Sequence, residues 1–349
     1  MRAIISERYG RRIVRALVVS NMLPDDSHPE RGSFVRDQVA ALATLPGVEV
    51  ELYEFAPGAR ALATAVVSLR RRFGGHGARR RRVGAGAAET ASEAAPRFDV
   101  VHAHFGLTAW PALAVPARVR ALTVHGTDVS HPRTRIATAA VLPSVDLLAA
   151  VSAPLIQQLP GRAARRRAQV LPCGVDLRRF RPLPREQARL ELGLRPAGPY
   201  LLFPADPSRA LKRYDRALAL ADATGAELLV LRSVEPERVA MWVNAANAVL
   251  VPSEREGFGL AVLEALACDV PVLATPVGVH PEALRNVAGT LCAPFDPGIW
   301  RTALEPFLRA PDPRVEGRAS AMPFSSTATA ERVVAAWRAV LERSGQLSG

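Results

Sequence analysis

Cysteine is scarce in this chain, which limits the kinds of site that the sequence can build. The three cysteines, Cys173, Cys268 and Cys292, are odd in number and far apart, so they form neither a disulfide framework nor a zinc motif. This usage favours a reducing compartment. An Asp-x-Asp metal motif is also absent from the sequence, so no metal site is expected.

Long apolar runs and aromatic clusters are missing as well. The longest weakly charged stretch, 136–155, contains Pro143, Asp146 and Pro154, which favours helix, turn and strand over a membrane span. The first residues are too charged for a secretory signal, so 1–11 are expected to form a loose leader. No aromatic residues interleave with the arginine clusters, which weighs against nucleic-acid binding.

The chain does have the length and apolar content for two hydrophobic cores, with 349 residues of which 49% are hydrophobic. Strand-like and helix-like segments alternate throughout, which predicts an α/β protein with doubly wound parallel sheets. The predicted strands are 13–20, 48–54, 99–103, 120–124, 146–151, 168–172, 199–203, 226–231, 247–251, 270–274 and 288–292. The helices predicted in the second half are 210–223, 236–246, 258–267 and 297–309.

A proline-punctuated segment, 171–184, separates two similar α/β halves and is interpreted as a linker. The expected organisation is a first Rossmann-like domain at 12–178, a second at 179–325 and a C-terminal helix within 326–349. Because ligands of doubly wound sheets bind beyond the carboxyl ends of the strands, the active site is expected in the cleft between the domains.

The segment 252–264 carries the most chemical information. A short apolar strand ends at Pro252, and a turn that contains Gly257 and Gly259 then leads into an apolar helix. Glycines allow close backbone approach, and a helix N-terminus offers free N–H groups to an anion such as a diphosphate. Glu256 and Glu264 lie about 10 Å apart at a rise of about 1.5 Å per residue, a span that suits one nucleotide sugar. The alternative is a capping Glu followed by a solvated helix Glu.

A second candidate lies upstream, where the predicted strand 199–203 is followed by Arg209 and Lys212. A guanidinium fork and an ammonium point charge at a strand-to-helix turn suit a pyrophosphate, whose developing charge they would neutralise. The alternative is a pair of solvated surface cations.

Several residues of the first half end strands or begin helices at the expected cleft. His125 follows a strand and precedes a glycine turn with Asp128, while His102 and His104 end the strand before it. Gly32 lies near a helix N-terminus, where it would permit close approach to a phosphate or an acceptor. The histidines could instead be structural, and Gly32 could belong to a surface loop with Ser33 as the helix N-cap.

The stretch PSEREGFGLAVLEALACDVPVLATPVGVHPEAL at 252–284 resembles the signature of retaining family 4 glycosyltransferases of the GT-B fold. The resemblance implies that Glu256 binds hydroxyls of the transferred sugar and Glu264 the nucleotide ribose, with backbone contacts from the turn at 257–260, which comprises Gly257, Phe258, Gly259 and Leu260. One departure is Asp269, where the family usually has glycine, and it is expected to alter a helix C-cap turn.

Three further segments resemble the same family. Arg209 and Lys212 match its phosphate-binding cations, and 123–128 is similar to its T-x-H-G-x-D motif, which implies that His125 meets the donor sugar. His102, His104 and Asp128 are candidates for the acceptor side, and Gly32 for donor binding. The segment 174–180 resembles the GVD…RF sequence that joins the two domains, and the final helix, 327–343, is expected to pack back on the first domain.

The chain carries a net charge of +12, and its arginines are clustered at 70–72, 79–82 and 162–167. Such clusters attract polyanions, and an anionic membrane surface is the preferred partner at about 1 kcal/mol per basic residue. The alternative is a set of solvated basic faces. The Arg-, Gly- and Ala-rich part of 70–96 is expected to form a mobile excursion from the first domain.

The resemblance implies a retaining, metal-independent hexosyltransferase that needs no cofactor, uses a nucleoside-diphosphate sugar as donor and acts on a glycan or lipid-linked acceptor. Cell-envelope polysaccharide or glycolipid synthesis in the cytoplasm, peripheral to the membrane, is the expected setting, with base contacts near 231–235. The alternatives are a same-fold sugar-nucleotide 2-epimerase and a non-enzymatic polyanion-binding protein.

Overall fold

The computed structural model describes residues 13–74 and 96–345. The expected leader and the 75–95 part of the expected excursion, with Arg79–Arg82, lie outside these residues. Within the described ranges the chain forms two parallel β-sheets flanked by helices, so the expected α/β fold is confirmed.

The first sheet has six parallel strands in the order β2-β1-β3-β4-β5-β6. Their bounds are β1 Val14–Ser20, β2 Val48–Glu54, β3 Phe98–His104, β4 Ala117–Val124, β5 Leu147–Ala150 and β6 Gln169–Val170. Ser20 pairs with His104, and His104 with Thr123, so the central strands end level with one another. The loops that follow these strands therefore meet at one edge of the sheet.

The second sheet has five parallel strands in the order β11-β10-β9-β7-β8. Their bounds are β7 Tyr200–Phe203, β8 Glu227–Val230, β9 Ala248–Val251, β10 Val272–Ala274 and β11 Leu291–Cys292. The inner strands are uninterrupted apolar runs because helices cover both faces of the sheet. The outer strand β11 is shorter than the prediction at 288–292, as β6 is shorter than 168–172.

Fifteen α-helices are present in the described ranges. In chain order they are α1 Ser33–Ala43, α2 Ala59–Phe73, α3 Ala109–Ala112, α4 Thr127–Ser130, α5 Pro132–Val141, α6 Ala153–Gln158, α7 Arg162–Arg167, α8 Arg185–Glu191, α9 Tyr214–Thr224, α10 Pro236–Ala245, α11 Leu260–Ala267, α12 His280–Ala283, α13 Pro297–Arg309, α14 Arg318–Ala321 and α15 Ser326–Arg343. A short 3₁₀ turn, Ala210–Lys212, precedes α9.

The chain passes between the two sheets twice, and the two passages lie side by side. The backbone N–H of Val175 donates to Phe324 at 2.8 Å, and Ser326 donates back to Val175 at 2.9 Å. The final helix α15 then covers the first sheet, where Trp337 is fully buried among the side chains of β3 and β5. This helix therefore ties the end of the chain to the first domain.

Asp269 occupies the left-handed position that ends α11, with φ at 55°. A glycine would adopt this conformation without strain, but the aspartate carboxylate accepts hydrogen bonds from the backbone N–H groups of Gly317 and Arg318, at 3.0 and 2.8 Å. The residue thus ends one helix and caps the start of α14, away from Glu256.

Candidate active site

Glu256 and Lys212 form a largely buried ion pair on the second domain. The Lys212 ammonium donates to both carboxylate oxygens of Glu256, at 2.7 and 2.8 Å, and the Ser253 hydroxyl adds a third hydrogen bond at 2.7 Å. Burial raises the pKa of Glu256, but Lys212 and Ser253 outweigh it, so the net pKa lies below the ordinary value. The carboxylate is ionised at neutral pH and can accept hydroxyl hydrogen bonds, but it cannot act as a general acid.

Lys212 keeps one N–H free of Glu256, since an ammonium has three donors. Its side chain is 17% exposed and is held by the 3₁₀ turn that ends at Lys212 itself. It is also the only lysine in a chain that otherwise uses arginine for every cation. The presence of a single lysine in the sequence points to Lys212, in addition to its spacing from Arg209.

Arg209 lies in the same turn, but its side chain is exposed. Among the described residues, no carboxylate lies within ion-pair distance of Arg209. The neighbouring Arg213, by contrast, forms ion pairs with Asp215 and Glu254. Arg209 is therefore free to meet an anion that arrives from solvent, whereas Lys212 is held by Glu256.

The glycine turn 257–259 touches the first domain directly. A Cβ on Gly257 would lie 1.9 Å from the backbone oxygen of His125, and the Ser152 hydroxyl donates to the Gly257 carbonyl at 2.7 Å. Helix α11 begins at Leu260, two residues later than the predicted start at Phe258, because Gly259 at φ 101° is its N-cap. Phe258 is buried, so its contribution to the cleft is its backbone.

Gly259 is held against a residue that sequence reasoning missed. A Cβ on Gly259 would lie 2.3 Å from Nε2 of His280, which is fully buried and donates from Nδ1 to the Thr275 carbonyl at 2.8 Å. Since Nδ1 carries the proton, Nε2 is a bare acceptor, and it has no hydrogen-bond partner among the described residues. The segment 275–280 thus supports the glycine turn from behind.

Glu264 lies on α11, one helical turn beyond the glycine turn. Burial raises its pKa to about 7, although Arg179 and Lys212 act in the opposite direction. At neutral pH the Glu264 carboxylate is therefore divided between protonated and ionised forms, unlike Glu256.

Three histidines of the first domain neighbour one another, from His125 at the cleft to the buried His104 and His102. We call these three residues the histidine cluster. His125 is partly exposed, and it packs against the rings of Phe34 and Phe105. His104 is buried behind it, with one imidazole N–H donating across 3.0 Å between His104 Nδ1 and His125 Nε2. Burial lowers the pKa of His104 to about 4 and that of His125 well below its usual range. The cluster is neutral at pH 7.

His102 does not line the cleft, which corrects one of the two interpretations of this residue. Its Nδ1 accepts from the indole N–H of Trp337 at 3.2 Å, so its Nε2 carries the proton and donates to the Thr123 hydroxyl at 2.8 Å. The residue is buried because α15 covers this face of the sheet. Its contacts are those of a core histidine that anchors the C-terminal helix.

Asp128 is also turned inward, which corrects its assignment to the acceptor side. Its carboxylate accepts from the backbone N–H groups of His125, Gly126 and Gly106. Burial raises its pKa to about 6 in spite of these bonds. Asp128 therefore shapes the loop that presents His125.

Gly32 is the N-cap of α1, with φ at 72°. Ser33 is the first residue of the helix, so the alternative in which Ser33 is the N-cap is wrong. A Cβ on Gly32 would lie 2.4 Å from the backbone oxygen of Met22. The packing of the chain itself thus requires this glycine. Phe34, two residues later, places the first turn of α1 next to His125.

A cavity of about 560 Å³ opens between the domains beside Arg179. The first domain contributes the loop from Pro24 to Pro29 and one side of α1, and the second contributes Glu235–Glu237. Ser233, with φ at 51°, donates to the Ser27 carbonyl at 2.9 Å across the cleft. The predicted base-contact segment, 231–235, therefore borders this cavity.

The described part of the chain holds no group of three or more His, Cys, Asp or Glu side chains arranged for a metal ion. No described helix combines the length and the apolar character needed to cross a bilayer.

Comparison with known proteins places both domains in one group of enzymes. Residues 32–179 match the family model described as Glycosyltransferase Family 4, and 211–320 match the one described as Glycosyl transferases group 1. The D-inositol 3-phosphate glycosyltransferase of Actinosynnema mirum is 34% identical over 300 residues, which cover 69% of this chain and 72% of the relative. The enzyme of the same name from Mycobacterium avium is 31% identical over 294 residues and covers 69% of each chain.

Solved structures agree on the fold. Sucrose-phosphate synthase from Thermosynechococcus elongatus has a TM-score of 0.59 at 19% identity and covers 96% of this chain and 98% of its own. A glycosyltransferase from Rickettsia africae has a TM-score of 0.64 at 12% identity, covering 95% of this chain and 100% of its own.

Proposed function

The chain belongs to glycosyltransferase family 4, and from that premise we propose that it moves a hexose-type sugar from a nucleoside-diphosphate sugar to a hydroxyl acceptor with retention of configuration. The observation that carries this proposal is the Lys212–Glu256 pair at the N-terminus of α11. It combines an ionised acceptor for sugar hydroxyls with a cation and a helix dipole for the diphosphate.

In this proposal Arg209, the third N–H of Lys212 and the free N–H groups of α11 neutralise the departing nucleoside diphosphate, so that no metal ion is required. Glu264 binds the ribose hydroxyls. His125, neutral and partly exposed, offers a hydrogen bond to the sugar from the opposite wall. Phosphate oxygens of the donor help to deprotonate the acceptor, and no covalent intermediate with the enzyme is formed.

The acceptor class that we propose is a glycan or lipid-linked glycan of cell-envelope synthesis, reached by peripheral contact with an anionic membrane. Four exposed apolar side chains support this contact, Val66, Val67, Trp110 and Ile136. They lie on α2, α3 and α5, which pack next to one another, and exposed arginines flank them at 70–72. Apolar wedges among basic residues suit an anionic bilayer.

The donor is tested first by binding. UDP, GDP and ADP are compared by thermal shift, and one of them is expected to raise the melting temperature. Lys212 is the only lysine, so the only amines that an acylating reagent can modify are its side chain and the terminal amine. Mass spectrometry of the acylated protein therefore measures how accessible Lys212 is. The binding nucleotide should protect Lys212, and a protein that none of the three stabilises would contradict the proposal.

The reaction is then followed with the matching sugar nucleotides and a panel of acceptors that includes inositol phosphate and lipid-linked glycans. We expect transfer with a retained anomeric configuration by NMR and unchanged turnover in excess EDTA. An inverted product or chelator-sensitive turnover would refute the mechanism. Interconversion of the donor sugar without any acceptor would identify the 2-epimerase instead.

Membrane contact is tested by sedimentation with vesicles of phosphatidylglycerol or of phosphatidylcholine alone. Binding to the anionic vesicles, lowered by salt and by a joint change of Val67 and Ile136 to Ser, is expected. Equal recovery with both kinds of vesicle would refute the membrane part of the proposal and leave the donor chemistry standing.

A further inference from the structure

Arg318 fixes the first passage between the domains against helix α11. Its guanidinium donates to the carbonyl oxygens of Phe180 and Ala267, both at 2.8 Å, and to that of Leu177 at 2.6 Å. Ala267 is the last residue of α11, whereas Leu177 and Phe180 belong to the linker. The residue between them, Arg179, is therefore held beside the helix that carries Glu264.

Arg179 reaches from the linker to the first domain. Both of its Nη groups donate to the carboxylate of Asp37 on α1, one of them at 3.1 Å, and both side chains are 19% exposed. Its Nε is buried and has no hydrogen-bond partner among the described residues. One guanidinium N–H therefore remains unsatisfied in a setting where such a group is costly.

The charged and titratable groups that face Glu264 come from four places. Arg179 belongs to the linker, Asp37 to α1 and Lys212 to the turn before α9, and Cys268 directly follows the last residue of α11. The two cations favour the ionised form of Glu264, whereas Asp37 and burial disfavour it. Arg179 thus binds Asp37 of the first domain directly and acts on Glu264 of the second domain through its charge.

We propose that Arg179 is a positioning residue of the donor site, which keeps Glu264 ionised for the nucleotide ribose, and that Asp37 opposes it from the first domain. The inference rests on the proposed function, in which Glu264 binds ribose. An ionised carboxylate offers both of its oxygens as acceptors to the two ribose hydroxyls, whereas protonation turns one of them into a hydrogen-bond donor. Donor binding is thereby linked to proton release from Glu264 and to the contact between the domains.

The linkage predicts how nucleotide affinity changes with pH. If the nucleotide binds only the ionised form, a pKa of about 7 makes binding about tenfold weaker at pH 6 than at pH 8. Without the Arg179 cation the midpoint of this change should move to higher pH, so that binding at pH 7 weakens severalfold. Without the Asp37 charge, the midpoint of the change in nucleotide affinity should move to lower pH.

The test is isothermal titration calorimetry with whichever of UDP, GDP and ADP binds best, from pH 5.5 to 8.5. The wild type is compared with Arg179→Gln, Asp37→Asn and Glu264→Gln. The matched control is Arg178→Gln, because Arg178 is the next residue of the linker and its side chain is 91% exposed. Titration of the nucleotide itself is common to all the variants, so differences between their midpoints report on the protein.

We expect opposite shifts for Arg179→Gln and Asp37→Asn, a wild-type midpoint for Arg178→Gln and loss of the protein-dependent midpoint in Glu264→Gln. Coincident midpoints, or shifts in the same direction, would overturn the inference while leaving the proposed function intact. Failure of all three nucleotides to bind the wild type would overturn both. Arg179→Lys keeps the positive charge but not the guanidinium, so it controls for a general folding defect at this position. The pH midpoint of its nucleotide affinity should lie nearer that of the wild type than the midpoint of Arg179→Gln does.

Discussion

Replacement of Gly257 by alanine tests whether the contact between the glycine turn and His125 matters for catalysis. The new Cβ would lie 1.9 Å from the backbone oxygen of His125, and Cβ atoms in proteins essentially never approach within 3.0 Å. The gap between the two domains must therefore widen by about 1 Å, the difference between these distances, because both partners are backbone.

The magnitude follows from the cost of overpacking, about 1–3 kcal/mol for one added methyl group. If turnover requires the closed arrangement, this cost corresponds to a loss of about fivefold to somewhat over a hundredfold in kcat/KM. The melting temperature should change little, since opening the cleft relieves the clash without disturbing either core.

The assay is release of the nucleoside diphosphate with saturating acceptor, combined with calorimetric melting. Gly298→Ala is the matched control, because its nearest new contact is a side-chain oxygen of Asp296 at 3.3 Å, far from the cleft. Wild-type kcat/KM for Gly257→Ala would refute the reasoning. A large drop in melting temperature would show that the clash is taken up inside a domain.

Three further outcomes are expected. Glu256→Gln should lower kcat/KM by about a hundredfold, because the amide cannot replace a charge-assisted partner of Lys212 and of the sugar hydroxyls; a loss below fivefold in the same assay would contradict its role. In urea unfolding, the free energy of unfolding should fall between pH 6.5 and 5, because the unfolded chain takes up protons at three histidines whose pKa burial lowers. Each histidine contributes about 1.4 kcal/mol per pH unit, but Asp128 and Glu264, with pKa values of about 6 and about 7, each offset one of them, so these five groups leave a net slope of about 1.4 kcal/mol per pH unit. A flat profile would refute this. Asp269→Gly should destabilise by about 1–2 kcal/mol and Asp269→Ala by more, because only glycine relieves the left-handed backbone; the reverse order would exclude that explanation.

The sequence is enough to predict the fold because each strand is a local apolar run between turn signals. The inner strand β1 begins within a residue of its predicted start and ends at its predicted end, and the edge strand β2 matches its predicted bounds. The edge strands β6 and β11 keep only two paired residues each, whereas the edge strand β2 pairs over all seven of its residues. Pairing at a sheet edge depends on partners that are distant in sequence.

The site is predictable to a lesser extent. The spacing of Glu256 and Lys212 and their resemblance to the family motifs point to one site, and the structure brings the two side chains together, while their role in donor binding stays a prediction. His102 and Asp128 are only candidates for the cleft from the sequence, because a polar residue at or just beyond the end of a strand has the same local pattern whether it faces solvent or the interior. Only the partner decides, and for His102 that partner is Trp337, 235 residues away.

The glycines show most clearly what a motif can and cannot establish. In the sequence, Gly257 and Gly259 indicate room for a phosphate, but in the structure each also has a protein neighbour, His125 for one and His280 for the other. Gly278 is likewise confined by the Phe258 carbonyl. A purely structural turn would require the same glycines, so their presence cannot separate a donor site from a packing motif. What separates the two is charge: a largely buried carboxylate held by the only lysine of the chain has no packing purpose that an apolar pair would not serve better.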